Sequence, residues 1–164
     1  MGHLGSMKKE HRALLQRLDM SQVGMPEPTS PRAEAARREI LEILFTPEDA
    51  ALAARMPVKP SKLEKVARFV GMEPADLEPR LDAMADKGLV LDMVHPDTGA
   101  VRYLLAPPVV GFIELSMMRR TGDVDRRRLS EALEAYMHGD PAFARDAFGG
   151  ETVLGRALVH ETSL

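Results

Sequence analysis

Cysteine and tryptophan are both absent from the 164-residue chain. Without cysteine the chain can form no disulfide, no thiolate metal site and no cysteine nucleophile, so we expect an intracellular, cytoplasmic location. Aromatic residues make up only 4% of the sequence, whereas methionine occurs 11 times. We therefore expect a core built from Leu, Val, Ala and Met, which packs adaptably because methionine side chains are flexible.

The chain also lacks a strong charge imbalance and an unbroken apolar run. Its net charge is −3, which gives no overall attraction to nucleic acid or to an anionic membrane. The longest apolar stretch, residues 101–118, is interrupted by Arg102, Gly111, Glu114 and two prolines, so it is not a plain transmembrane helix. We expect one domain of ordinary size with terminal additions and no membrane partner.

Motifs for catalysis and for cofactor binding are missing as well. The sequence contains no nucleophile elbow, no phosphate-cradling loop and no dinucleotide glycine pattern. The five histidines are scattered, none has a partner at a metal-ligand spacing, and each is best interpreted as a solvated side chain. We therefore predict that the protein is not an enzyme, with no catalytic, cofactor-binding or metal-binding residue and no small-molecule substrate.

The most regular pattern in the chain lies in residues 60–107. Apolar residues recur at helical spacing over 63–70 and again over 77–85. Gly71 and Gly88 follow these two stretches, and glycine is the usual residue after a helix C-terminus because it adopts the left-handed conformation without strain. The pattern predicts two consecutive short helices, each with a defined end.

The start of the second helix is complicated by Pro74 and Pro79. A helix beginning at Pro74 would place Pro79 in its interior, where the missing N–H interrupts the hydrogen-bond ladder. We therefore predict that Asp76 caps this helix and that Pro79 occupies its first turn.

Two apolar, partly β-branched segments, residues 89–94 and 101–105, follow on either side of turn residues at 95–99 and predict a β-hairpin. The strings LxxMxxKGLV at 81–90 and DxGxxxYxL at 97–105 resemble the passage from the second helix into the wing of winged helix-turn-helix proteins. The resemblance implies a mainly α fold, a winged helix-turn-helix with a three-helix core, a β-hairpin wing and additional N- and C-terminal helices.

Capping residues and apolar spacing predict the flanking elements. Hydroxyl caps followed by proline occur at Ser30 and Thr46, and either Asp123 or Asp125 can cap a later helix that ends near 139. The predicted organisation is a cloning scar at 1–6, an N-terminal helix and connector at 7–28, a winged-helix domain at 29–107 and a C-terminal helical extension at 108–164.

DNA binding through the second helix is disfavoured by its predicted outward face. In a winged helix this element ordinarily enters the major groove. Here the outward residues are acidic or apolar, namely Asp76, Pro79, Asp82, Ala83 and Asp86. A carboxylate near a phosphate is repulsive, whereas a lysine or arginine would release a counterion.

Basic residues elsewhere could still contact phosphates. The candidate nucleic-acid contacts are Lys59, Lys62, Lys65, Arg68 and Arg102. A solvated helix face is the commoner meaning of such a stripe. A second basic group at 119–120 and 126–128 would make non-specific DNA contact credible if both groups lay on one side of the molecule.

Two segments, residues 8–19 and 108–118, carry more apolar surface than a short helix can bury by itself. The candidate interface residues are Leu14, Leu18, Val109, Phe112, Ile113 and Met117. The alternative is that both segments cover the core of the winged helix.

Five passages, which together span most of the chain from about residue 14 to 120, resemble the sequence of one protein group. They are RLD at 17–19, VGMP at 23–26, EILEILFTPEDA at 39–50, LEPxLxxMADKGLV at 77–90 and PVVGFxE at 108–114. Together they resemble the N-terminal extension of a bacterial and archaeal group of ferredoxin-type iron–sulfur proteins. In that group, cysteine-rich segments that bind 4Fe-4S clusters follow the winged-helix region, whereas this chain has no cysteine and stops at Leu164.

The resemblance implies a non-catalytic docking, regulatory or dimerisation module at the N-terminal part of an iron–sulfur electron-transfer protein. Its expected partner is a second copy of the chain or a cysteine-rich iron–sulfur domain. The 4Fe-4S clusters are implied only for a region beyond Leu164, and the simplest explanation is a chain trimmed before that region. The alternative is a free-standing DNA-binding winged-helix transcriptional regulator.

Overall fold

The computed structural model describes residues 7–20, 24–118 and 124–149. It is mainly helical, with 62% helix, 8% strand and a small two-stranded antiparallel sheet, which confirms the prediction of a mainly α fold with a hairpin. The predicted scar at 1–6, the arginines at 119–120 and the C-terminal stretch from 150 lie outside the described residues. Within the described parts, no helix combines the length and apolarity needed to cross a membrane.

Helices account for most of the described chain. They are α1 Lys9–Leu18, α2 Pro31–Leu44, α3 Pro47–Ala53, α4 Leu63–Val70, α5 Pro74–Asp86, α6 Ile113–Met118, α7 Arg126–Gly139 and α8 Ala142–Phe148. A π-helical turn, Pro108–Phe112, leads directly into α6. The strands β1 Val90–Val94 and β2 Val101–Leu105 lie between α5 and this turn.

The predicted capping residues explain where three helices begin. The side chains of Ser30, Thr46 and Asp125 each accept a hydrogen bond from a backbone N–H in the first turn of α2, α3 and α7. Gly71 ends α4 in the left-handed conformation at φ 72°. These local predictions are confirmed, and Asp123, the other candidate cap of α7, lies outside the described residues.

The predicted start of α5 is wrong. The helix begins at Pro74 after the N-cap residue Glu73, so Pro79 lies in its interior. Pro79 removes one hydrogen bond, the one that its N–H would donate to the carbonyl of Ala75. Both residues are exposed, so water can solvate that carbonyl and the helix tolerates the interruption.

The hairpin pairs β1 with β2 in antiparallel register, from Val90 opposite Leu105 to Val94 opposite Val101. Its second strand also forms hydrogen bonds along the other edge. Tyr103 exchanges two backbone hydrogen bonds with Ser61, of 2.8 and 3.0 Å. The segment before α4 therefore runs antiparallel beside β2 and pairs with it through one β-bridge, like a very short third strand.

One hydrophobic cluster connects the elements of the described chain. It contains buried side chains from all eight helices and both strands, and it is built mainly from Leu, Ala, Met and Val. Phe45 at the end of α2 packs edge-on against Phe112, with 5.8 Å between ring centroids. The segment after the hairpin is thereby joined to the N-terminal part of the core.

Gly88 lets α6 approach the turn between α5 and β1 closely. Its φ is +78°, and a Cβ added there would lie 2.7 Å from the Cβ of Leu115. The absence of a side chain is therefore needed both for the turn after α5 and for the packing of α6 against it.

Candidate interaction surfaces

The exposed side of α5 is acidic, as predicted. Asp76, Asp82 and Asp86 are exposed together with Pro79 and Ala83 between them. The opposite side of the helix is buried and carries Leu77, Leu81, Met84 and Ala85. Since apolar residues repeat at helical spacing, burial of one side fixes the direction of the other.

The hairpin continues this acidic surface with apolar side chains. Burial raises the pKa of the Tyr103 hydroxyl, and the nearby carboxylates of Asp82 and Glu78 raise it further, so Tyr103 lies beside α5. Side chains alternate along a strand, and paired residues point to the same side. Exposed Val101 and its partner Val94 therefore lie on the same side of the hairpin as Tyr103.

We call the resulting surface the acidic-apolar face, formed by Asp76, Asp82, Asp86, Val94 and Val101. It combines exposed carboxylates with two exposed β-branched side chains. The two valines were not among the predicted interface residues. The sequence offered little indication that they are exposed, because β-branched residues are common in strands and their presence near a turn predicts only a strand.

The structure brings four of the five predicted nucleic-acid contacts together. Lys65 and Arg68 from α4, Lys62 immediately before it and Arg102 from β2 line a shallow pocket of about 290 Å³, which Glu64 also lines. We call this site the basic pocket. The four cations and the one carboxylate give it a formal charge of +3. Lys59, the fifth predicted contact, is exposed but does not line the pocket.

Arg102 of the basic pocket points away from the side of the hairpin that carries Val94 and Val101. Arg102 and Tyr103 are consecutive in β2, so their side chains point in opposite directions. The exposed carboxylates of α5 and the exposed cations of the basic pocket give the chain a negative and a positive surface, although its net charge is only −3.

The four cations of the basic pocket have no ion-pair partner among the described residues. Other cations do, as with Lys87, whose Nζ lies 3.2 Å from Asp49 Oδ2. Lys65 instead places its Nζ 5.9 Å from the ring centroid of Phe69. Phe69 is 54% exposed, and its role was not predicted from the sequence.

The second basic group does not join this pocket through the residues described. Arg128 bonds Glu39 on α2, with 2.6 Å between Nη2 and Oε1. Arg127 is paired with Glu131 on the surface of α7. None of the described arginines of this group lines the basic pocket.

Most of the predicted interface residues lie inside the chain. Leu14, Leu18, Phe112 and Ile113 are buried in its own core, because their helices pack against the other elements. This corrects the interface prediction for these four residues, which a partner could not reach without opening the core. Val109 is partly buried, and exposed Met117 lies next to Met118, which is 76% exposed.

His11 is a core residue and not a solvated one, which corrects the interpretation of the histidines at this position. It is 1% exposed, and its Nε2 lies 3.0 Å from the carbonyl oxygen of Phe45. Its helical spacing to Leu14, Leu15 and Leu18 on the buried side of α1 could have predicted this burial.

Among the described residues, no group of three or more potential ligands could hold a metal ion.

Comparison of the chain with protein-family models, with curated proteins and with solved structures found no match. The resemblance to ferredoxin-type proteins and the assignment of a winged helix therefore stay predictions.

Proposed function

We propose that α3, α4, α5 and the hairpin form a winged helix-turn-helix. The order of helix, short strand, helix, helix and hairpin supports this assignment. The single bridge between Ser61 and Tyr103 supplies the short strand that precedes the second helix. The turn between α4 and α5 spans only residues 71–73 and contains the left-handed Gly71.

We further propose that this module is a non-catalytic docking domain that binds a partner through the acidic-apolar face. The observation that supports the proposal is the exposure of Asp76, Asp82 and Asp86 where a DNA-reading helix needs cations. Exposed Val94 and Val101 beside them offer apolar area that a partner can bury, with charged residues around it. The partner surface that fits carries cations beside an apolar patch.

The resemblance in sequence suggests that this partner is a cysteine-rich iron–sulfur domain of an electron-transfer protein. The present chain has no cysteine, so it offers no thiolate ligand and any cluster would belong to the partner. The role proposed for this chain is to position that domain.

The experiment is a calorimetric titration of the chain with a ferredoxin-type cysteine-rich domain. Asp82→Lys should weaken binding by about tenfold, which corresponds to about 1.4 kcal/mol. Glu134→Lys on the exposed side of α7 makes the same charge change on another element and should have little effect. Equal losses in both variants would mean that only net charge matters and would contradict the proposed face.

Sedimentation tests the second predicted partner, another copy of the chain. A dimer at high micromolar concentration that Asp82→Lys weakens would place self-association on the same face. A chain that stays monomeric and also fails to bind the iron–sulfur domain would contradict the docking function.

The alternative function, a DNA-binding winged-helix regulator, is opposed at α5 by the exposed carboxylates. It would have to rely on phosphate contacts at the basic pocket. Such contacts position a protein on DNA but do not read its sequence.

A further inference from the structure

The basic pocket has properties that docking through the acidic-apolar face does not use. Its cations come from two elements, α4 and β2, that are joined through the backbone bridge at Ser61. Lys62, Lys65 and Arg68 follow each other at three-residue intervals, which spreads them along about 9 Å of helix. That length suits contact with neighbouring phosphates of one strand and exceeds what a single small anion needs.

Phe69 adds a stacking surface at the edge of the pocket. Its ring is 54% exposed and lies next to the ammonium group of Lys65. Exposed aromatic rings beside cations are the usual platform on which bases of single-stranded nucleic acids stack. An acidic peptide would use the cations but would gain less from this ring.

The shape of the pocket favours a flexible strand. The depression is shallow and holds about 290 Å³. A rigid duplex buries its bases, so it could reach the cations with phosphates but could not stack a base on Phe69. A single strand can place phosphates on the cations and turn one base onto the ring.

We propose that the basic pocket and Phe69 bind single-stranded nucleic acid, with Lys62, Lys65, Arg68 and Arg102 contacting phosphates and Phe69 stacking on a base. This activity goes beyond the docking function and uses none of the residues of the acidic-apolar face. It also differs from sequence reading by α5, because every contact is to the backbone or to the face of a base.

The test is fluorescence anisotropy with a short labelled oligothymidine at about 50 mM salt. Four phosphate contacts predict a slope of about −3 for the logarithm of the association constant against the logarithm of the salt concentration. Lys62→Glu with Lys65→Glu should weaken binding strongly and reduce the slope by about 1.4. Lys8→Glu with Lys9→Glu makes the same charge change on exposed residues of the N-terminal region and should leave the slope unchanged.

Phe69→Ala separates stacking from charge. It should weaken binding by about fivefold to a hundredfold without changing the salt slope. Since Phe69 and the four cations are exposed, these variants should retain the wild-type circular dichroism spectrum.

Several outcomes would overturn the proposal. They are absence of oligothymidine binding at about 50 mM salt, equal losses in the two double-lysine variants, and an unchanged affinity of Phe69→Ala. Tighter binding of random duplex would assign the pocket to duplex DNA, and tighter binding of polyglutamate would assign it to an acidic protein segment. Asp82→Lys should not weaken oligothymidine binding, so failure of the docking function and failure of this site can be told apart.

Discussion

Among single residues, Asp140 connects parts of the chain that are far apart in sequence. Its carboxylate accepts hydrogen bonds from the N–H and hydroxyl of Thr29, at 2.9 and 2.5 Å, and from the N–H of Ser30. It also accepts one from the N–H of Ala142, at 2.8 Å, at the start of α8. One side chain thus satisfies backbone donors before α2 and at α8.

Protonation of Asp140 should reduce stability at low pH. The Thr29 hydroxyl is the largest cause that lowers the pKa of Asp140, to about 2, from an ordinary value near 3.8. A lowered pKa in the folded state means that the stabilisation is complete above pH 3.8 and is lost as the pH falls toward 2. Asp140→Asn should therefore lower the melting temperature at pH 7, and the difference from wild type should shrink between pH 4 and pH 2. Asp97→Asn is the control, and a pH-independent difference would contradict the prediction.

Gly71 and Gly88 form a matched pair for a second prediction. Both have positive φ, but an added Cβ meets no atom within 4 Å at Gly71, whereas at Gly88 it meets Leu115. Gly71→Ala should cost about 1–2 kcal/mol through backbone strain alone. Gly88→Ala should cost a further 1–3 kcal/mol or so because α6 must move. Urea unfolding followed by circular dichroism measures both, and equal costs would mean that the contact with α6 is unimportant.

The residues that sequence reasoning missed are those whose partner is remote. Asp140 was not singled out from the sequence, because nothing near it in the chain indicates Thr29 as its partner. His11 was misjudged for the same reason, since its acceptor, the carbonyl of Phe45, belongs to another helix. Local signals identify a capping residue but not what a side chain contacts across the core.

At the scale of secondary-structure elements, α5 lacks one backbone hydrogen bond at Pro79, and a substitution can restore it. Pro79→Ala should restore a hydrogen bond to the carbonyl of Ala75 and stabilise the protein by about 1–3 kcal/mol. Pro74→Ala is the matched control, because proline suits the first helical position and its loss should cost about 0.4–1 kcal/mol. Thermal and urea unfolding of both variants provide the comparison. A loss of stability in Pro79→Ala would show that the proline benefits the native helix.

Element type was predictable wherever capping and periodicity agreed. The caps at Ser30 and Thr46, the left-handed Gly71 and the two strand segments all lie where local rules place them. The start of α5 was missed because two local rules conflicted there. Proline is favourable at the first position and unfavourable five residues later, and the helix formed with Pro74 in its first turn and Pro79 in its interior.

For the molecule as a whole, the shared core predicts a single unfolding transition. Tyr103 in the hairpin and Tyr136 in α7 are the only tyrosines and report on opposite sides of the predicted boundary near residue 107. Tyr103→Phe and Tyr136→Phe each leave one fluorescent reporter. In each variant the fluorescence and circular dichroism midpoints in urea should coincide, because Phe45 and Phe112 join the two segments. Separate midpoints would instead support two independent folding units.

The charged surfaces could be predicted only in part. The acidic side of α5 follows from periodicity within one helix, and so does the stripe of Lys62, Lys65 and Arg68. The addition of Arg102 depends on how the segment before α4 pairs with β2, which joins residues about forty positions apart. Pairing of that kind is decided by tertiary packing and has no local signature.

The bridge at Ser61 also limits how the sheet can grow. Both edges of β2 are occupied, by β1 on one side and by residues 57–61 on the other. Among the described residues no strand pairs with the outer edge of β1, so an additional strand could extend the sheet there. Asp92 in the middle of that strand is exposed and would place a charge within any such extension.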